Sequence, residues 1–199
     1  MGANMHADGA SSGDTAPSRR AMLVGLAAGL SSATGVLGLF PADARAAAVE
    51  VPARPEDEAF MREAIALAAQ ADYPFGAVIT RGGEVLARGM NLGRHLADPT
   101  AHGEMVAIRR FLAVRPPDEL KGTTLYTSGE PCAMCMGAIV WCGISRVVFA
   151  ASVDELAARI GQITISAKQV AEQTPFARVE LTGGVLSGEA LALFDQKKP

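Results

Sequence analysis

The chain has 199 residues, a formal net charge of −3 and three cysteines, and 49% of its residues are hydrophobic. This length predicts a single domain that can bury a sizeable core. The slight acidity disfavours a domain built around a phosphate backbone, because such domains carry a basic patch. We therefore expect a small-molecule partner and no nucleic acid.

The first 46 residues are predicted to be a targeting segment. Arg19 and Arg20 precede an apolar run over residues 21–40 that glycines and serines make only mildly hydrophobic. Paired arginines before such a run are typical of a twin-arginine export signal, and Ala44-Arg45-Ala46 fits a cleavage site. The alternatives are an N-terminal membrane anchor, since about 20 apolar residues can span a bilayer, or an apolar tail on a cytoplasmic protein. We favour export by the twin-arginine translocation machinery to the periplasm or beyond.

Helices and strands are predicted to alternate after this segment. A linker over residues 47–56 precedes a helix over residues 57–71. Strands are expected at residues 75–80, 84–89, 124–127, 146–151 and 178–181, the first two forming a hairpin around Arg81-Gly82-Gly83. Helices are expected at residues 102–112, 132–141, 153–160 and 189–194, with a turn at residues 168–173. This alternation predicts an α/β fold, a three-layer α/β/α sandwich, over residues 57–199.

Two short clusters supply residues suited to chemistry at a metal. His102 and Glu104 lie in the first turn of one predicted helix, and Cys132 and Cys135 begin another, after Pro131. Because the two cysteines are three residues apart, both sulfurs can bind the same ion. One imidazole and two thiolates provide three ligands for one Zn²⁺ and leave a fourth position for water. Glu104 can then take a proton from that water.

A structural zinc site is the alternative interpretation. Such a site closes its fourth position with another Cys or His, and the candidates are Cys142 and His95. Cys142 lies about 10 Å along the helix axis from Cys135 and cannot share the metal while the helix is intact. His95 lies in a polar connection and can reach in principle. We favour a catalytic site because Glu104 also lies at the spacing from His102 that suits a proton acceptor beside the metal.

The clusters match the H-x-E…P-C-x-x-C signature, and the chain resembles the zinc-dependent nucleobase and nucleoside deaminases. Bacterial guanine deaminases and tRNA adenosine deaminases are the most similar groups, over about residues 60–154. The resemblance implies a cytidine deaminase-like fold with a mixed five-stranded sheet, and a homodimer. It also implies zinc ligands at His102, Cys132 and Cys135, with Glu104 as the catalytic residue.

Further site residues follow from the resemblance. Asn91 matches an asparagine that binds the base in that family; a turn asparagine is the alternative. Asp154 lies near the place where guanine deaminases carry a second proton-handling carboxylate, and Trp141 is expected in the core or in the pocket wall. Two positions depart from the pattern. Most guanine and tRNA deaminases read His-Ala-Glu, whereas this chain has Gly103 between His102 and Glu104, which is similar to fungal-type cytosine deaminases. Gly129 stands where guanine deaminases often carry cysteine.

The expected function is that of an exported hydrolytic deaminase of a free nucleobase or related amino-heterocycle, with guanine favoured. Hydroxide on the zinc attacks an amino-bearing ring carbon, and ammonia leaves. The alternatives are a cytosine deaminase, on the strength of Gly103, and a tRNA adenosine deaminase, which the acidity and the export signal disfavour. A zinc-stabilised binding protein without catalysis is the remaining alternative, and the presence of Glu104 argues against it.

Overall fold

A computed structural model describes residues 48–196, and the predicted export signal lies outside these residues. The strands are β1 (Val49–Glu50), β2 (Gly76–Arg81), β3 (Glu84–Met90), β4 (Thr124–Gly129), β5 (Arg146–Ala151) and β6 (Glu180–Thr182). The helices are α1 (Asp57–Gln70), α2 (Gly103–Leu112), α3 (Ala133–Trp141), α4 (Val153–Ala157), α5 (Ala167–Glu172) and α6 (Ser187–Gln196), with a 3₁₀ turn at Pro117–Leu120. Within the described part of the chain, no helix is long and apolar enough to cross a membrane.

The strands form one mixed sheet in the order β1-β6-β5-β4-β2-β3. Strand β2 pairs antiparallel with β3 and β4, whereas the remaining pairs are parallel. The predicted α/β fold is confirmed, but the sheet has six strands rather than five. The additional strand is β1, which lies inside the predicted linker and pairs with β6. Two residues are too few to show alternation, so the sequence pattern could not indicate this strand.

Helices cover both faces of the sheet. Along β2, Ala77 and Ile79 belong to the core beneath α2, α3 and α5, whereas Val78 belongs to the core beneath α1 and α6. This division follows from the two-residue repeat of a strand, which sends neighbouring side chains to opposite faces. The molecule is therefore the expected three-layer sandwich, with a hydrophobic core on each side of the sheet.

The two short helices after β5 begin with capping boxes. Ser152 and Glu155 exchange hydrogen bonds at the start of α4, and Ser166 and Gln169 do the same for α5. The S-x-x-E and S-x-x-Q spacings in the sequence are the signals of such boxes. The turn expected at residues 168–173 is therefore a helix. The helix expected over residues 153–160 begins at Val153 as predicted but ends at Ala157.

Candidate active site

His102 and Cys132 each occupy the residue immediately before a helix. Helix α2 begins after His102 and helix α3 after Cys132, and both residues have extended backbones and make no side-chain capping bond. Their side chains are therefore available to other partners. The first turns of both helices also place partial positive charge near the sulfurs, which favours thiolates.

The three predicted metal ligands lie together. The Nδ1 atom of His102 is 3.7 Å from Sγ of Cys132 and 3.6 Å from Sγ of Cys135. A tetrahedral Zn²⁺ with ordinary bond lengths separates its sulfur and nitrogen ligands by about 3.6 Å. These residues are the one group of three potential metal ligands found within residues 48–196. The donor set therefore fits one Zn²⁺ in both chemistry and spacing.

The residues considered for a fourth protein ligand lie outside this group. Cys142 is half-buried and directly follows α3. His95 is exposed in the loop after β3, where its backbone N–H donates to the carboxylate of Asp72. A metal bound by three protein ligands keeps a position open for water or substrate, as catalytic zinc sites do.

Hydrogen bonds among the three ligands shift their pKa values in different directions. The bond between the two thiols lowers the pKa of Cys132 to about 4 and raises the pKa of Cys135. The hydrogen bond to Cys132 also raises the pKa of His102. Two thiolates this close repel each other unless a cation lies between them, which is the requirement that a divalent metal meets.

Glu104 is a buried carboxylate in the first turn of α2, with only 3% of the residue exposed. Its Oε1 atom lies 3.4 Å from the hydroxyl of Thr127, which is also 3.1 Å from the carbonyl oxygen of Gly129. No arginine or lysine in the described part of the chain forms an ion pair with it. Burial raises the pKa of Glu104, so its carboxyl group takes up a proton more readily than an exposed one.

A cavity of about 290 Å³ opens beside His102, one of the three predicted metal ligands. Its lining residues are Tyr73, Pro74, Phe75, His102, Ile160, Gly161, Gln162 and Phe194. Two larger cavities, of about 400 and 480 Å³, contact none of the three metal ligands. The cavity of about 290 Å³ is therefore the candidate substrate site, because of these three it alone contacts a predicted metal ligand.

Sequence reasoning missed two buried residues that hold the segments lining this cavity. Ser128 accepts a hydrogen bond from the N–H of Gly76 at 3.0 Å and donates to the carbonyl of Pro74 at 3.3 Å. Glu130 accepts bonds of 2.8 Å from the N–H groups that begin α4 and α5, and so holds both ends of the segment containing residues 160–162. The only available signal was that both residues lie within three positions of Pro131-Cys132.

The remaining predicted site residues lie in different surroundings. Asn91 is buried, and its Oδ1 atom accepts a 3.1 Å bond from the N–H of Gly93, which is the turn geometry weighed above. Asp154 is exposed on α4. Trp141 is 78% exposed at the end of α3 and packs against Phe176, so its expected place in the core is wrong. The substrate-binding roles of these three residues stay predictions.

Comparison with known proteins agrees with this site. Residues 54–151 match the family model for the cytidine and deoxycytidylate deaminase zinc-binding region. The chain is 36% identical over 151 residues to a guanine deaminase from Bacillus subtilis, covering 71% of this chain and 97% of that protein. It is 43% identical over 107 residues to a chloroplastic tRNA(adenine(34)) deaminase from Arabidopsis thaliana, covering 52% of this chain but 8% of that protein.

A solved structure of guanine deaminase from Nitrosomonas europaea superimposes with a TM-score of 0.59 and 27% identity, covering 77% of this chain and 88% of that one. Similarity along nearly the whole length of a bacterial relative, together with the zinc-binding match, establishes the family. The chain belongs to the cytidine and deoxycytidylate deaminase zinc-binding family, whose members are zinc-dependent hydrolases that act on C–N bonds.

Proposed function

We propose that this protein is an exported hydrolytic deaminase of a free nucleobase, with guanine as the favoured substrate. One observation carries the proposal. The buried carboxylate of Glu104 lies beside a three-ligand zinc site that opens onto a cavity of about 290 Å³. A purely structural zinc site needs neither a cavity nor a carboxylate with a raised pKa.

The residues of the chain divide the reaction between them. Zn²⁺, when bound, acts as a Lewis acid and lowers the pKa of a water in its open position. Glu104 accepts the proton from the attacking water and passes protons to the ring nitrogen and to the departing amine. Its burial suits this role, because a carboxyl group without an ionic partner can exist in both protonation states.

The form of the cavity supports a free base as the substrate. Its size is near the lower limit for small-molecule sites, and its lining is largely apolar, with aromatic rings from Phe75 and Phe194. The relative covered over 97% of its length is a guanine deaminase, which favours guanine. Gly103, in His102-Gly103-Glu104, is the observation that favours cytosine as the second candidate.

Ammonia release from a panel of substrates tests this proposal. The panel contains guanine, adenine, cytosine and a tRNA anticodon stem-loop, each incubated with zinc-loaded protein and with Glu104→Gln. We expect release from guanine that depends on Glu104. Release from cytosine alone or from the stem-loop alone would reverse the substrate assignment. Release from none of them would favour the zinc-stabilised binding protein.

Export rests on the paired arginines and the apolar run that follows them. The twin-arginine route carries folded protein, so zinc can bind the cysteines before they reach an oxidising compartment. We expect the full-length chain to be processed near residue 46 and recovered in the periplasm or the medium. Replacing Arg19 and Arg20 by lysine should retain it in the cytoplasm. Cytoplasmic full-length protein that is indifferent to this change would contradict export but leave the deaminase assignment intact.

A homodimer is the proposed assembly, and α3 is the proposed contact. This helix contains no charged residue, and it leaves Met134 and Trp141 exposed, with Trp141 packed against Phe176. Apolar side chains grouped on a helix surface in this way are typical of association sites. Sedimentation of the wild type and of Trp141→Lys tests the proposal: we expect a dimer that the lysine weakens. A monomeric wild type would contradict it.

A further inference from the structure

The cavity beside His102 is lined by few polar side chains. Apart from this predicted metal ligand, they belong to Tyr73 and Gln162. The ring of Tyr73 stacks on Arg94, whose guanidinium carbon lies 4.6 Å from the ring centre, and the hydroxyl has its donor and acceptor on a single atom. The amide of Gln162 has them on separate atoms, and it makes no hydrogen bond within residues 48–196. Gln162 is therefore available for a two-point contact with a ligand.

The burial of Gln162 reverses the usual preference of residue types. Gln162 is half-buried against the cavity, whereas Ile163 and Ile165, which follow it, are 56% and 48% exposed. Glutamine is ordinarily exposed and isoleucine buried. Water satisfies the amide when no ligand is bound, so a base that enters the cavity must replace those hydrogen bonds.

The segment that carries Gln162 is anchored close to it. The N–H of Ile160 donates to the carbonyl of Leu156 at 2.9 Å, and its side chain packs against the cluster that contains Leu156 and Phe194. On either side of the segment, Glu130 accepts the N–H groups that begin α4 and α5. The backbone at Gln162 is therefore positioned before a substrate binds, as a specific contact requires.

We propose that Gln162 is a specificity-determining residue that binds the lactam of the base, which is a ring N–H beside a carbonyl. Its amide oxygen accepts the ring N–H, and its amide N–H donates to the carbonyl oxygen. Glutamine makes the same kind of two-point contact with base edges in nucleic acids. Because the lactam and the reacting carbon share one six-membered ring, a base with that carbon at the metal has its lactam inside this small cavity.

The contact names a substrate class. Guanine carries a lactam at N1 and C6, and cytosine carries one at N1 and C2, whereas adenine has none. A site built to bond a polar group of the substrate rejects analogues that lack the group, because its own donors and acceptors then stay unpaired. The inference rests on the proposed deaminase function and adds that the substrate is an amino-heterocycle with a lactam.

Inhibition by two unreactive purines tests the contact. Hypoxanthine has the lactam of guanine but no amino group, and purine has neither. Gln162→Leu should raise the inhibition constant of hypoxanthine tenfold or more and leave that of purine nearly unchanged, by the discrimination of about tenfold or more typical of two-point base contacts. The kcat/KM for guanine should fall by a similar factor. If cytosine is the substrate, 2-pyrimidinone and pyrimidine replace the two purines.

A second variant and a control separate recognition from packing. Gln162→Glu keeps the shape of the side chain but turns a carboxylate oxygen towards the carbonyl of the base, so it should weaken hypoxanthine at least as much as Gln162→Leu does. A side chain that only filled space would tolerate this change. Gln173→Leu, exposed at the end of α5 and outside the cavity lining, should behave as the wild type. Zinc content should stay at about one per chain in every variant.

The outcomes distinguish this inference from the proposed function. An active wild type whose inhibition by the lactam compound does not change in either Gln162 variant contradicts the role of Gln162 alone. Equal losses for the compounds with and without the lactam contradict it as well, since the side chain then shapes the cavity without recognising the lactam. Ammonia release from adenine alone contradicts the substrate class. A wild type that deaminates no free base contradicts the proposed function, and this inference with it.

Discussion

Asp57 and Glu104 are both buried carboxylates at the start of a helix, but their hydrogen-bond partners differ. Asp57 is fully buried at the start of α1 and Glu104 is 3% exposed at the start of α2. Asp57 receives two 2.7 Å bonds from Arg146, one of 3.0 Å from the Tyr126 hydroxyl and one of 2.7 Å from the N–H of Arg54. The side-chain hydrogen-bond partner of Glu104 is Thr127, whose hydroxyl lies 3.4 Å from the Oε1 atom.

The partners decide what each carboxylate can do. Burial alone would raise the pKa of Asp57, but the bonds from Arg146, Arg54 and Tyr126 outweigh it and lower that pKa. For Glu104 the effect of burial prevails and the pKa is raised. A buried carboxylate with a full set of donors stays charged and holds segments together. A buried carboxylate with few donors can exchange a proton, which is what an acid–base catalyst does.

The largest expected effect follows from removing a zinc ligand. Cys132→Ser and Cys135→Ser should each lose the metal, nearly all turnover and part of the folding stability, because zinc binding contributes to folding. Metal analysis, ammonia release and thermal unfolding measure the three losses. Cys142→Ser, outside the ligand group, is the matched control and should keep the metal. Full zinc occupancy in both ligand variants would overturn the assignment.

Glu104→Gln should separate chemistry from folding. The amide keeps the size of the side chain but cannot carry the proton, so kcat should fall about 10²- to 10⁴-fold. Zinc content and the unfolding midpoint should stay close to those of the wild type. If turnover persists at the wild-type rate, Glu104 is not the proton carrier.

Asp57→Ala should show the opposite behaviour. It leaves the guanidinium of Arg146 buried without its carboxylate, which costs about 3–5 kcal/mol of folding free energy. Activity per folded molecule and zinc content should be unchanged, because Asp57 is not among the residues that line the cavity. Denaturant unfolding and single-temperature kinetics measure both properties. A variant as stable as the wild type would show that the pair contributes only to specificity of folding.

The lowered pKa of Asp57 predicts how the folding stability changes with pH. Because the folded-state pKa of Asp57 is lowered, its contribution to stability is complete above the unfolded pKa of about 4. This contribution is lost as the pH falls from there through the folded pKa. The difference in unfolding free energy between the wild type and Asp57→Asn should therefore be constant well above pH 4 and shrink as the pH falls below 4. A constant difference between pH 3 and pH 7 would mean that the carboxylate charge is not the stabilising feature.

The smallest expected effect concerns Asn91, whose Oδ1 atom is used by the turn at Gly93. Asn91→Asp can keep this turn, because aspartate also accepts such bonds, but it lacks the amide donor. If the amide binds the base, Asn91→Asp and Asn91→Ala should both lower kcat/KM about tenfold. Wild-type kinetics in Asn91→Asp would leave Asn91 with a role in the turn alone.

The sequence predicts the residues of the candidate active site but not those of the buried pair Asp57 and Arg146. His102, Glu104, Cys132 and Cys135 could be predicted because each cluster is local and its spacing has a chemical meaning. Asp57 and Arg146 are 89 residues apart, and neither stands in a pattern that indicates burial. Only the packing of α1 against the sheet brings them together.

The same limit applies to the walls of the cavity and to the sheet edge. The contact of Phe75 with Gly129 depends on how β4 lies beside the loop before β2, which no spacing reveals. The strand β1 depends on a parallel partner near the other end of the chain. Trp141 was expected in the core or in the pocket wall, and large aromatic residues are usually well buried. Its exposure reflects the apolar surface of α3, which a single sequence does not distinguish from a core-facing helix.

The edge position of the two-residue strand β1 has a consequence for aggregation. Exposed sheet edges are templates on which a second chain can add a strand. The N–H groups of β1 that face β6 are hydrogen-bonded to it. Pro52 and Pro55 follow β1 closely and lack an N–H, so little continuous edge remains for pairing. At the opposite edge, β3 carries Glu84 and Arg88 among its exposed residues, and Arg88 pairs with Glu63 of α1. Folded molecules are therefore poorly suited to join through their sheets, and concentrated protein should resist amyloid-like growth while it stays folded.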